Sequence, residues 1–157
     1  QLLHKNQPWV WGTKQSESFN RLKSLISSDN VVAHFDPSLK TILIVDAGPI
    51  GLGAILAQEH MSNIIRPVAF ASRTLTSQER RYSQTEREAL GVVWGCERFH
   101  LYLYGKTFEI LTDHQPLKVL YNHTGKPSPR ILRWGLRLQS YSFTIKHIPG
   151  KFNPADI

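Results

Sequence analysis

The run Thr41-Ile42-Leu43-Ile44-Val45 constrains this chain more than any other segment. A strand with one wet face alternates apolar and polar residues. This mostly β-branched run does not alternate, so it belongs inside a sheet covered on both faces. It stops at an acid, Asp46, and Gly48-Pro49-Ile50-Gly51 then supplies turn chemistry. Residues 52–58 read as a returning strand, in which Gly53 permits the close approach of another backbone. Pro67-Val68-Ala69-Phe70-Ala71 reads as a third strand, so the sheet opens antiparallel. Phe108-Glu109-Ile110-Leu111-Thr112 is a fourth, again followed by an acid, Asp113. Between the third and fourth, residues 85–103 predict one long helix with Gly105 as its C′ residue, suited to the crossover of a βαβ unit. A helix over 130–140 and a strand over 143–148 follow, and Asn153-Pro154 is an N-cap with Pro at the first helical position. Ahead of the sheet, residues 13–27 predict a helix capped by Thr13 with Phe19, Leu22, Leu25 and Ile26 on one face. Residues 31–35 predict a short strand, and residues 114–121 a short helix. The expected architecture is α/β: a five-stranded mixed sheet flanked by helices.

Composition narrows the function classes. With 157 residues, 41% hydrophobic and 20% charged, the chain is a globular domain with at most a short appendage, not a disordered segment. The single cysteine, Cys96, excludes an internal disulfide and a Cys-rich zinc site, and suits a reducing compartment. No apolar run approaches the roughly 18 residues of a membrane-spanning helix. The first residues resemble neither a signal nor a transit peptide, and the chain reads as a piece of a larger polyprotein or enzyme. Most of its net charge of +7 sits late: Lys118, Lys126, Arg130, Arg133, Arg137, Lys146 and Lys151 are opposed there only by Asp156. A localised basic surface favours polyanions such as nucleic acid. Arg130, Arg133 and Arg137 fall at i, i+3 and i+7, which predicts a basic helix stripe opposite Ile131, Leu132 and Leu138.

The acids suggest chemistry. If the first and fourth strands lie side by side and parallel, Asp46 and Asp113 converge at the sheet edge where open α/β sheets bind ligands. The long helix offers Glu86 and Glu88, about 200° apart around the axis, so only one can face that edge. Glu88 shares its face with Gly91, Val92 and Gly95, which would let the helix lie close to the sheet, and Asp156 opens the last helix. Gathered carboxylates repel one another unless cations neutralise them, and hard divalent ions with oxygen ligands are the natural solution.

Several long motifs carry a resemblance. They are Ile44-Val45-Asp46-Ala47, Gly51-Leu52-Gly53-Ala54, Pro67-Val68-Ala69-Phe70-Ala71-Ser72-Arg73 and Tyr82-Ser83-Gln84-Thr85-Glu86-Arg87-Glu88-Ala89-Leu90, then Leu111-Thr112-Asp113-His114 and Pro149-Gly150-Lys151 to Pro154-Ala155-Asp156. Over residues 38–157 the chain resembles the ribonuclease H domain of a gypsy-type LTR retrotransposon reverse transcriptase. Residues 1–37, with Trp9-Val10-Trp11-Gly12, resemble the tail of the polymerase or connection region before it. The resemblance implies a ribonuclease H-like fold and cleavage of the RNA strand of RNA–DNA hybrids. It also implies two Mg²⁺ ions, replaceable by Mn²⁺, on a D-E-D-D set. Carried onto this chain, that set is Asp46, Glu88, Asp113 and Asp156, with Glu88 preferred to Glu86 by spacing. The last helix would be truncated, because the Leu-Ser-Arg continuation expected after Asp156-Ile157 is not in the sequence. The implied partners are the hybrid and the rest of the Pol polyprotein, with no membrane. The implied setting is intracellular, in a cytoplasmic virus-like particle or the nucleus.

Around the acids, Arg130, Arg133, Arg137, Arg73 and His114 are expected to contact nucleic acid, and His147 to be auxiliary. The tryptophans read as packing residues and Cys96 as a packed thiol. Two other classes compete. A non-catalytic ribonuclease H-fold module, serving as a connection domain or a host-domesticated nucleic-acid binder, would be marked by lost carboxylates, and all four are present. A transposase or integrase core would carry its Glu as the third acid, whereas here Glu88 falls between the first two aspartates.

Overall fold

The computed structural model describes residues 8–26, 28, 31–113, 128–150 and 153–155. The chain divides into two compact units, Gln1–Ala33 and His34–Ile157. The first unit holds helix α1, Thr13–Ile26, none of whose residues is buried. Its start differs from expectation. Thr13 is already helical; Gly12 precedes it, and the Gln15 side chain accepts the Gly12 N–H at 3.0 Å. Residues 31–35 form no strand. The Val31 and Val32 amides instead turn back onto the Ser28 carbonyl at 2.9 and 3.0 Å. An apolar run makes a strand only where a partner strand offers its ladder.

The second unit is built on five strands: β1 Lys40–Ala47, β2 Gly51–His60, β3 Ile64–Thr74, β4 Thr107–Thr112 and β5 Ser142–His147. Their order across the sheet is β3-β2-β1-β4-β5. β1–β2 and β2–β3 pair antiparallel, whereas β1–β4 and β4–β5 pair parallel. This is the mixed five-stranded sheet expected, with the first strand at its centre. Both faces of β1 are buried from Thr41 to Ala47. Asp46 does not end that strand; it lies within the ladder, opposite Gly53.

Helix α2, Gln84–Arg98, crosses one face of the sheet. Its N-terminus is a reciprocal capping box: Ser83 Oγ accepts the Glu86 N–H, and the Glu86 carboxylate accepts the Ser83 N–H. The single helix expected over 85–103 is broken at Phe99 (φ −106°, ψ 23°), and a short helix α3, His100–Leu103, follows. Phe99 is buried among Leu103, Phe108 and the α2 residues, so core packing fixes the bend that apolar periodicity does not show. Gly105 then takes φ 75°, as a C′ glycine does. Helix α4, Pro129–Leu138, packs beside α2.

The core is unequal on the two faces. Leu43, Val45, Leu52, Ala54 and Leu56 meet Ala89, Val92, Val93 and Cys96 of α2 and Trp134 and Leu138 of α4. Gly95 makes this contact close, since a Cβ there would stand 3.0 Å from Val45 Cγ1. Cys96 is fully buried, and burial pushes its thiol up to about 12, so it is a packed thiol. On the opposite face, Ile42, Ile44, Ile55, Ala57 and Leu111 pack with Ala155 and Ile148. A groove of about 430 Å³ runs along that face past Phe70 and Pro154.

Candidate active site

Three of the four expected acids fall among the described residues, and the fold brings them to one end of the sheet. Asp46 comes from β1 and Asp113 from the residue after β4, the two strands pairing in parallel as far as Ile44 and Leu111. Glu88 reaches in from the first turns of α2 and is 3% exposed; Asp46 is 6% exposed. Glu86 does not compete, because its carboxylate is committed to Ser83, Ser128 and Arg130. Asp156 lies outside the described residues, as does His114.

Each acid is held by its surroundings. The Asn153 amide donates to Asp46 Oδ1 at 3.4 Å and to the Val45 carbonyl at 3.3 Å. Asn153 Oδ1 accepts the Ala155 N–H at 3.1 Å, so the residue expected to cap a last helix also grips the first aspartate. Asp113 Oδ2 lies against Gly150, where a Cβ would come within 3.0 Å of it. His147 donates Nε2–H to the Asp113 carbonyl at 2.9 Å, which fixes the end of β4 through the backbone. Glu88 Oε1 accepts from Gln84 Nε2 at 2.5 Å.

Two oxygens are left over. Glu88 Oε2 and Asp113 Oδ1 are buried and have no hydrogen-bond partner among the described residues. Burial, then the negative charges of Asp113 and Asp46, push the Glu88 carboxyl up to about 8. Among the described residues, no three His, Cys, Asp or Glu side chains close into a ready-made metal cluster. The donor set nevertheless fits a hard divalent cation. It consists of carboxylate oxygens, two of them buried without donors among the described residues, at a place where burial and the neighbouring aspartate charges raise the Glu88 carboxyl.

The basic residues divide differently from the stripe read off the helix. Arg130 places Nη1 2.6 Å from Glu86 Oε1, with its guanidinium 4.0 Å from the Tyr82 ring centroid. Arg137 forks onto Glu97 at 2.7 and 2.6 Å. Both arginines therefore flank the buried Trp134 on the side of α4 that meets α2. Arg133 points elsewhere: it is exposed and makes no hydrogen bond or ion pair among the described residues. Leu132, expected on the inner side, is 55% exposed; Ile131, Trp134 and Leu138 make the contact instead. Arg73 forks onto Glu79, both bonds 2.8 Å, and lies over Trp94.

Residues 36–141, a span containing Asp46, Glu88 and Asp113, match the family described as the RNase H-like domain found in reverse transcriptase. The chain belongs to that family. Among curated relatives, the RNase H-like domain is 41% identical over 137 residues to the retrovirus-related Pol polyprotein from transposon 297 of Drosophila melanogaster. That alignment covers 87% of this chain and 12% of the polyprotein, and the chain spans the same small share of other curated relatives. In fold it is similar to a foamy viral protease–reverse transcriptase solved in complex with an RNA/DNA hybrid. The TM-score is 0.57 at 17% identity, over 90% of this chain and 19% of that one. It is also similar to RNase H1 from the archaeon Halobacterium salinarum, with a TM-score of 0.56 at 17% identity, over 74% of this chain and 90% of that one. The fold is thus ribonuclease H-like, and among the described residues no helix is long and apolar enough to cross a membrane.

Proposed function

We propose that this RNase H-like domain hydrolyses the RNA strand of RNA–DNA hybrids, using two divalent cations held by Asp46, Glu88, Asp113 and Asp156. The observation that carries the reading is the pair of buried carboxylate oxygens on Glu88 and Asp113, without a donor among the described residues, in one negative field. Such oxygens cost stability unless a cation satisfies them, so a fold that keeps them keeps them for a ligand. Bound Mg²⁺ would supply activation of water and neutralisation of charge at the scissile phosphate. The chain's own groups supply the frame. Asn153 holds Asp46, Gly150 leaves room for Asp113, and His147 fixes the end of β4. The hydrolysis breaks the bond to the 3′ oxygen and leaves a 5′-phosphate and a 3′-hydroxyl, with no covalent protein intermediate. Arg133, an exposed arginine of α4 that makes no ion pair among the described residues, is the residue best placed for a phosphate of the substrate. Family membership and a fold shared with a reverse transcriptase that binds a hybrid support the substrate class. Within a longer Pol polyprotein, this cleavage would remove the RNA template during reverse transcription.

The test is cleavage of an end-labelled RNA–DNA hybrid by the chain and by Asp113→Asn, with Mg²⁺ and with Mn²⁺. Cutting by the parent that falls to background in the variant, with circular dichroism unchanged, is the expected result. Equal cutting by both overturns the site. Tight hybrid binding without cutting by either points to a non-catalytic binding module.

A further inference from the structure

Gln84 is an exposed residue at the first turn of α2, and nothing in its type or spacing marks it as functional. Its side chain is nevertheless fully committed. Nε2 donates to Glu88 Oε1 at 2.5 Å and to the Ala47 carbonyl at 3.2 Å. Oε1 accepts from Arg87 Nη2 at 2.5 Å, and Arg87 also donates to the Tyr82 carbonyl at 3.3 Å. The amide therefore has one orientation. A guanidinium can only donate, so the oxygen faces Arg87; the two acceptors on the other side require the nitrogen. Turned over, the amide would meet two acceptors with an oxygen and Arg87 with a nitrogen, losing all three bonds.

From this geometry we infer that Gln84 is a positioning residue for Glu88, holding Oε1 so that Oε2 stays open to an incoming divalent cation. The carbonyl of Ala47 directly follows Asp46 in β1, so the same amide ties the start of α2 to the strand that carries the first aspartate. Groups that orient ligand carboxylates typically contribute 10–100-fold in metal affinity. The inference rests on the metal-site reading above and goes beyond it by assigning a role to a residue that is not a ligand.

The experiment is calorimetric titration of Mn²⁺ into the 157-residue chain, Gln84→Met and Asp46→Asn, with steady-state hybrid cleavage on the same samples. Methionine keeps the length and lacks the donor. At this exposed position it leaves the melting temperature within a few degrees of the parent. Gln84→Met is expected to weaken Mn²⁺ affinity by about 10-fold and to lower kcat at fixed Mn²⁺, with KM for the hybrid unchanged. Parent-like Mn²⁺ affinity in Gln84→Met, while Asp46→Asn loses binding, overturns the role of Gln84 and leaves the metal site standing. Unchanged Mn²⁺ affinity with a raised KM makes Gln84 a substrate contact and likewise overturns the inference. Parent-like affinity in Asp46→Asn, or no Mn²⁺ binding by the parent chain, overturns the metal-site reading and the inference with it.

Discussion

At the scale of single residues, the arginines of α4 separate into two struts, Arg130 and Arg137, and Arg133, which makes no ion pair among the described residues; the two kinds should respond to different assays. Arg133→Ala is expected to weaken hybrid binding and to reduce the slope of log K against log salt by about 1, the value of one lost phosphate contact. Filter binding between 50 and 200 mM salt checks this. Arg130→Met should instead cost roughly 1 kcal/mol of stability, because it strips a part-buried partner from Glu86 and a cation from Tyr82. The Arg73–Glu79 fork gives a pH signature. Hydrogen bonds from Arg73 hold the Glu79 carboxyl at about 2, against an ordinary value of 4.5. A lowered acid stabilises the fold above its unfolded value, and the gain is lost as pH falls through the folded one. The melting-temperature gap between the parent and Glu79→Gln should therefore be full at pH 5 and close as pH drops from about 4.5 toward 2. Asp46 and Asp113 were legible because each follows an apolar run in the sequence. The division among Arg130, Arg133 and Arg137 was not, because helical spacing shows which residues are neighbours without showing which side meets α2. Gln84 was hidden for a related reason: its partners are a carbonyl of β1 and the side chains of Glu88 and Arg87, about one turn ahead in its own helix.

At the scale of elements, the closeness of α2 to β1 decides whether Glu88 reaches the aspartates. Gly95 sets that distance, standing against Val45, Leu43 and Ala54. Gly95→Val should destabilise the chain by about 1–3 kcal/mol through overpacking, read as a lower denaturation midpoint with an unchanged slope. The same variant should also weaken Mn²⁺ binding, because the helix must lift. The five sheet strands and the antiparallel start of the sheet followed from the sequence, and the uninterrupted run at β1 places it inside the sheet. Strand ends did not follow: β2 and β3 extend to a turn at Ser62 and Asn63, both with positive φ, because each strand supplies the other's ladder. The break at Phe99 and the absence of a strand over 31–35 have a common cause. Local pattern proposes an element, and tertiary partners dispose of it.

At the scale of the whole molecule, a divalent cation should act as a stabiliser. If it binds the native site alone, saturation to 100 times Kd adds about 2.7 kcal/mol. Mg²⁺ should then raise the melting temperature of the parent and leave that of Asp46→Asn nearly unmoved. The sheet topology also has a consequence in time. The hairpins β1–β2 and β2–β3 join neighbours in sequence and can close early, whereas β1 meets β4 only after the crossover through α2 has been laid down. A half-folded chain with its meander intact would own Asp46 and lack the company of both Glu88 and Asp113. If the proposed site binds its cations, their capture would certify completed long-range assembly, and a nascent polypeptide carrying this segment would stay chemically inert until its slowest pairing had formed.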